Sequence, residues 1–218
     1  MEYFNPTYYT KVYRQFKAID STAYREIIRF YEKEEDKILR LEFDEFFELL
    51  VAYVDALFEI GAYRKHLLLV DVVIEKSITH NVTVYKEGDI FRKMLFRKAA
   101  SFYNTHEYIK ATYILTELIK INPDDPAYAM LYRKCRLNAR PDLLNHARAT
   151  SVFLFLMTAL IIAMEVLFVR PWYELHVDLV MGVRNLSFLL GCLVLIVGFS
   201  YNYFLADRDV RQLLEQYQ

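Results

Sequence analysis

Apolar residues recur at intervals of three and four through the first two thirds of the chain, which is the spacing of one helical face. In the segment 7–19 these positions include Val12, Phe16 and Ile19. Six further segments carry the same spacing: 23–41, 44–60, 63–78, 90–104, 105–122 and 126–138. The pattern therefore predicts an all-α region built from several amphipathic helices.

Turn residues divide these helices into pairs. Gly61 directly follows the segment 44–60 and is typical of a helix C-terminus, so the next helix packs antiparallel to the first. Pro126 begins the last of these helices, because proline is favoured in the first helical turn. The stretch 79–89 interrupts the spacing with Asn81 and Gly88, and it predicts a loop.

The hydrophobic pattern changes at Ser151. The segment 151–169 holds one charged residue, Glu165, in 19 positions, and the segment 186–205 holds none in 20. At a rise of about 1.5 Å per residue, each segment matches a hydrocarbon core of about 30 Å. Two transmembrane helices are therefore predicted, with two buried core helices as the alternative.

Composition supports this division and excludes several classes of function. Charged residues make up 25% of the chain, but they concentrate before Ser151. The net charge of -1 gives no reason to expect nucleic acid as a partner. Cys135 and Cys192 suggest neither a disulfide framework nor a metal site, and common catalytic motifs are missing. We expect no catalytic residues, no metal and no cofactor.

Basic residues near the two apolar segments predict the orientation. Two lie in the connector, Arg170 and Arg184. Seven lie on the other side: Arg133, Lys134, Arg136, Arg140, Arg148, Arg208 and Arg211. Because positive charge is retained in the cytoplasm, both termini are expected on the cytoplasmic side of a membrane, which we expect to be a bacterial inner membrane.

Small and large apolar residues in the window 92–125 follow a recurring order: Ala99, Phe102, Tyr108, Ala111, Leu115, Leu118 and Pro123. This order resembles the tetratricopeptide repeat, a helix–turn–helix unit of 34 residues. The window 47–80 resembles it more weakly, with His66 where the family has alanine. The resemblance implies a helical solenoid; a generic antiparallel bundle is the alternative.

The resemblance also implies a binding groove lined by the first helix of each unit. In this register the groove residues are Glu48, Val51, Asp55, Phe58, Glu59, Lys93, Phe96, Tyr103 and Asn104. The set lacks the several basic residues with which the family binds a peptide carboxylate. Its acidic end favours a basic, amphipathic partner segment, while ordinary solvated helix surface is the other interpretation.

These observations predict three regions: an N-terminal helical cap at 1–43, a tetratricopeptide-like domain at 44–140 and a membrane hairpin at 141–218. We expect a non-enzymatic scaffold that recruits an unidentified protein at the membrane. In the alternative, hairpins from several copies form a homo-oligomeric effector or channel component. Glu165 would then be functional, because ionisable residues inside membranes usually are; in the other interpretation, it lies about one turn from the outer end of the span and reaches the interface or pairs with Arg170.

Overall fold

The computed structural model describes residues 10–82, 84–85, 88–139, 141–169 and 177–217. The predicted helix start at 7–9, Arg140 and the connector residues 170–176 lie outside the described residues. The described residues form nine α-helices, so the all-α class is confirmed. The helices are α1 (Lys11–Lys17), α2 (Tyr24–Ile38), α3 (Phe43–Glu59), α4 (Tyr63–Thr79), α5 (Ile90–Asn104), α6 (Tyr108–Ile121), α7 (Pro126–Ala139), α8 (Pro141–Met164) and α9 (Val177–Tyr217).

The predicted loop at 79–89 contains a small antiparallel pairing. Strand β1 (Val84–Tyr85) pairs with strand β2 (Gly88–Asp89). Asp89 then caps α5, since its side chain accepts a hydrogen bond of 3.1 Å from the backbone of Arg92. Two-residue strands leave no hydrophobic alternation in the sequence, which is why the pattern predicts only a loop here.

The chain divides into two compact units, Met1–Tyr132 and Arg133–Gln218, with the border inside α7. The predicted region limits at 43/44 and 140/141 stay predictions. In the first unit, consecutive helices pack against each other from α1 to α6. Residues of α3 are buried on several of its faces, including Leu49, Val54 and Leu57. The nearly continuous apolar run in α3 allows this helix to serve as the centre of the unit.

Two turns of the first unit, α3–α4 and α5–α6, have the same backbone geometry, and the end of α4 shares it: Asn81 has a φ of 54°, and Val82 donates its N–H to the carbonyl of Ser77 at 2.8 Å. Gly61 ends α3 with a φ of 79°, and Ala62 donates its N–H to the carbonyl of Leu57 at 2.9 Å. His106 follows α5 with a φ of 65°, and Glu107 donates to the carbonyl of Phe102 at 2.8 Å. Both are Schellman-type helix ends with a left-handed residue, which confirms the predicted C-cap role of Gly61.

His66 on α4 is fully buried and faces α5. Its Nδ1 lies 2.9 Å from the hydroxyl oxygen of Ser101, which is also fully buried. Burial, reinforced by the positive charge of Arg97, lowers the pKa of His66 to about 4. The imidazole is therefore accommodated at this contact in its neutral form, although the repeat family has alanine at this place.

The second unit contains the two apolar helices. The segments Leu144–Val169 and Val177–Tyr217 are each long and apolar enough to cross a membrane, and only 11% and 6% of their apolar windows are buried. The predicted spans 151–169 and 186–205 lie within them. Helix α9 has 41 residues, or about 60 Å, so it extends well beyond its apolar stretch. Its last turns pair with the end of α7, where Arg136 and Asp209 are 2.5 Å apart.

The buried imidazole predicts how stability depends on pH. The unfolded chain, with a histidine pKa near 6.5, binds this proton more tightly than the folded one, with a pKa of about 4. The neutral imidazole of His66 makes its full contribution to the unfolding free energy above pH 6.5. That contribution is lost as the pH falls toward 4. The difference of about 2.5 pH units corresponds to about 3 kcal/mol of unfolding free energy.

Urea unfolding of the full chain in detergent, measured from pH 7 to pH 4, tests this expectation. Wild type should lose about 3 kcal/mol more than His66→Leu over that range. Ser101→Ala is the control, and it should keep the wild-type pH dependence because burial is the main cause of the lowered pKa. Parallel curves for wild type and His66→Leu would contradict the assignment.

Candidate functional site

Ion pairs connect alternate helices of the first unit along one face, which we call the odd-helix face because it is formed by α1, α3 and α5. Glu48 on α3 pairs with Lys17 on α1. Asp55, also on α3, lies 2.5 Å from Lys93 on α5. These pairs bring three helices that are separate in sequence onto one surface. The first helices of the two predicted repeat units, α3 and α5, are therefore neighbours on it.

A pocket of about 300 Å³ opens on the odd-helix face. Its apolar lining is formed by Phe16, Ile19, Tyr24, Ile27, Ala52 and Ala56. Its polar lining is formed by Lys17, Ser21, Glu48, Asp55, Glu59 and Arg97. This volume is at the lower end of the range for small-molecule pockets, which suits one large side chain or a small ligand.

The predicted groove residues occupy different environments. Glu48, Asp55 and Glu59 line the pocket. Val51 is only 1% exposed, so it belongs to the core and is inaccessible to a partner. The other predicted residues outside the pocket make local contacts: Phe58 with Tyr63, Lys93 with Asp55, Phe96 with Tyr128, Tyr103 with Tyr108, and Asn104 with the carbonyl of Ala100.

Nine of the twelve pocket residues were not among the predicted groove residues, and Arg97 is the one that most changes the charge of the pocket. Its guanidinium lies 2.9 Å from Asp55, 2.8 Å from Glu59 and 4.8 Å from the ring centre of Phe58. The signal was present, because Asp55 and Glu59 are four residues apart on one helix and Lys93 and Arg97 are four apart on another. Their pairing neutralises much of the acidic character that the sequence suggested for this surface.

The contact between α8 and α9 combines polar and small residues with one aromatic pair, Phe155 and Phe188, whose ring centres are 5.6 Å apart. Ser151, Thr158 and Glu165 recur every seven residues on α8 and its continuation, and each is at most 7% exposed. Thr158 donates a hydrogen bond of 3.1 Å to Ser187 on α9. The regular interval keeps these side chains facing the partner helix along the whole hairpin.

Glycines let the two hairpin helices approach closely. A Cβ at Gly191 would lie 2.7 Å from the ring of Phe155, and one at Gly198 would lie 2.6 Å from the Cβ of Ala147. Both glycines therefore pack against α8 of the same chain, and neither position has room for a side chain.

Large apolar side chains of the hairpin point away from its polar contact. Leu156 is 65% exposed, Leu189 is 63% exposed and Ile196 is 66% exposed. A water-soluble helical pair would have the opposite arrangement, with leucine and isoleucine inside and serine and threonine outside. The outer surface of this hairpin is suited to an apolar solvent.

Glu165 has a charged partner within the hairpin. Its carboxylate is 2.8 Å from the guanidinium of Arg184 on α9, and the residue is 1% exposed. Arg170, the other basic residue of the connector, lies outside the described residues. The helix widens into a π-helical segment, Glu165–Val169, where this pair forms. The Glu165 carboxylate, which an ion path would require, is therefore neutralised by Arg184.

The cysteines are poorly placed for chemistry. Cys135 on α7 is fully buried, and burial raises the pKa of its thiol to about 11. The thiol therefore stays protonated at neutral pH and is a weak nucleophile. Cys192 lies half-buried within the second apolar stretch.

The chain was also compared with known proteins. Comparisons with models of protein families, with curated proteins and with solved structures give no match for this chain. Its function is therefore inferred from the chemistry of the pocket and of the hairpin.

The ion pair in the hairpin predicts energetic coupling. Glu165→Gln and Arg184→Gln should each destabilise the chain in detergent, because each leaves one charge without its partner. The double variant should recover about 2 kcal/mol relative to the sum of the two single effects. Thermal or denaturant unfolding of all four proteins measures this coupling energy.

The matched control combines Arg184→Gln with Asp178→Asn, an exposed carboxylate at the start of α9. These two effects should simply add. Additive effects for Glu165 and Arg184 as well would show that their contact contributes no coupling.

Proposed function

We propose that this protein is a non-enzymatic scaffold anchored in a membrane by the α8–α9 hairpin. Its first unit would be a tetratricopeptide-like array that binds a protein partner at the cytoplasmic face. The inverted hairpin, with polar and small residues inside and large apolar residues outside, is the observation that carries the proposal. Holding one partner at a membrane raises its effective concentration and allows weak, selective binding to be productive.

The dimensions of the hairpin support insertion in a bilayer. The polar residues Arg184 and Asn202 of α9 are separated by 18 positions, or about 27 Å, close to the thickness of the hydrocarbon core of about 30 Å. Arg184 is paired with Glu165, and Asn202 donates a hydrogen bond of 3.4 Å to the carbonyl of Leu137. The stretch between these levels holds no charged residue.

The recurrence of turn geometry supports the repeat. Gly61 and His106, the left-handed residues of the two turns, are 45 positions apart, which is also the offset between the windows 47–80 and 92–125. The two turns line one depression of about 500 Å³. The small residues Ala99 and Ala111, at which the family's helices approach each other, are fully buried. The end of α4 at Asn81 shares this turn geometry, so the support rests on the 45-residue spacing together with the two buried alanines.

The pocket supports binding of an uncharged, apolar side chain from the partner. Its carboxylates Glu48, Asp55 and Glu59 already have basic partners within the first unit. A charged ligand would have to displace these pairs, whereas an apolar side chain would contact the apolar lining. Partner residues that fill such pockets commonly dominate the binding energy.

We expect both termini of the protein in the cytoplasm. Cys135 is unsuitable as a reporter because it is fully buried, so introduced cysteines at exposed positions are needed. Lys33→Cys and Gln212→Cys should resist a membrane-impermeant maleimide in intact cells and react after permeabilisation. Asp178→Cys should react from outside, because it lies at the other end of the hairpin.

The chain without introduced cysteines measures the background from Cys192. Extraction of the membranes at alkaline pH should leave the protein in the lipid fraction. Release of the wild-type chain by that treatment would contradict the anchor, and labelling of Lys33→Cys from outside would contradict only the orientation.

The pocket is expected to contact the partner directly. A photo-crosslinking residue in place of Ser21, at the pocket, should form one discrete adduct in native membranes. Ala52→Phe places a ring in the pocket and should weaken this adduct about thirtyfold, since anchor residues contribute about 2 kcal/mol. Adduct yield by immunoblot and mass spectrometry measures the effect.

The same crosslinker at Glu75, an exposed residue of α4 that does not line the pocket, is the positional control. It should give no such adduct. An adduct of equal yield from the crosslinker at Glu75 would contradict the proposed binding surface. So would an undiminished adduct from the crosslinker at Ser21 in the Ala52→Phe variant.

A further inference from the structure

The basic side chains of the second unit differ in whether they have acidic partners. Arg184 pairs with Glu165, and Arg136 pairs with Asp209. Three other basic side chains are exposed and form no ion pair with any residue that the structure describes: Lys134, Arg148 and Arg208. Positive charge without a protein counter-ion is thus concentrated at one end of the hairpin.

Arg148 has a defined position at this end. Its guanidinium lies 5.6 Å from the ring centre of Phe199, a residue of α9 that is 49% exposed. The neighbouring residue, Ala147, makes the close approach to Gly198 that a Cβ would obstruct. The tight helix contact therefore holds the guanidinium over an aromatic ring on the outer surface of the hairpin.

The location of this guanidinium matches the boundary of the apolar stretch. Arg148 precedes Ser151, where the predicted span begins, by three residues, or about 4.5 Å along the helix. An arginine at such a boundary lies at the level of the lipid headgroups. Its planar group is suited to binding phosphate oxygens through two parallel hydrogen bonds.

We propose that Arg148 and Phe199 form a contact site for the phosphate headgroup of an anionic phospholipid. The guanidinium binds the phosphate, and the exposed ring contacts the adjoining acyl region. Lys134 and Arg208 add positive charge at the same end and attract the anionic leaflet. This site rests on the proposed membrane anchoring, because it exists only if the hairpin lies in a bilayer.

Charge and surface chemistry favour a lipid over a free anion. An inorganic phosphate ion would gain nothing from Phe199, whereas a phospholipid contacts both the guanidinium and the ring. A zwitterionic lipid carries a phosphate too, but its ammonium group cancels the net attraction to the surrounding basic residues. Preference for an anionic lipid is therefore the distinguishing property of this site.

Native mass spectrometry of the full chain in detergent, titrated with phosphatidylglycerol or phosphatidylcholine, tests the proposal. Wild type should bind phosphatidylglycerol more tightly, and Arg148→Gln should weaken that binding about fivefold, as expected for loss of one surface charge. Arg148→Lys should retain most of the preference, and Phe199→Leu should reduce it less than Arg148→Gln does. Arg29→Gln, an exposed arginine of the first unit, should bind as wild type does.

Equal binding of the two lipids by wild type would overturn the proposal, as would unchanged binding by Arg148→Gln or an equal loss in Arg29→Gln. Displacement of the lipid by millimolar inorganic phosphate would identify a simple anion site and overturn the lipid assignment. Alkaline extraction of the same membranes tests anchoring independently. A chain that resists extraction but shows no lipid preference would refute the site while leaving the anchor intact.

Discussion

Hydrocarbon offers no hydrogen bonds, and the proposed membrane insertion of the second unit would account for its arrangement by this constraint. Several polar side chains within the apolar stretches have partners in the protein. Thr158 contacts Ser187, and Glu165 pairs with Arg184 across the hairpin. Leucine and isoleucine, which need no such partner, face outward. Polar pairs, close contacts at Gly191 and Gly198, and the ring pair of Phe155 and Phe188 together define how α8 and α9 pack.

Water imposes the reverse arrangement on the first unit. Its helices bury leucine, valine and alanine, with α3 at the centre, and leave most of their charged residues at the surface, Glu45 being an exception. Ion pairs such as Asp55 with Lys93 then link helices that are not adjacent in sequence. Exposed pairs of this kind contribute modestly to stability, but they leave fewer charges free for other contacts. In the pocket, that effect leaves an apolar lining inside a neutralised rim.

Local pattern was sufficient to predict much of the architecture. The spacing of apolar residues predicted the helices, and Gly61 predicted a helix end, because both depend on neighbouring residues alone. The short strand pair at Val84–Tyr85 and Gly88–Asp89 left no such pattern. Three of the predicted groove residues, Glu48, Asp55 and Glu59, line the pocket, whereas Arg97 was missed because its position depends on a neighbouring helix.

The sequence by itself determined which segments are helical and which helices suit lipid, since helical period and hydropathy are properties of short stretches. Only the tertiary structure decided which side chains meet. Glu165 pairs with Arg184, nineteen residues away, and Gly191 and Gly198 face α8. These outcomes depend on the rotation and register of one helix against another, and the packing of whole helices sets both.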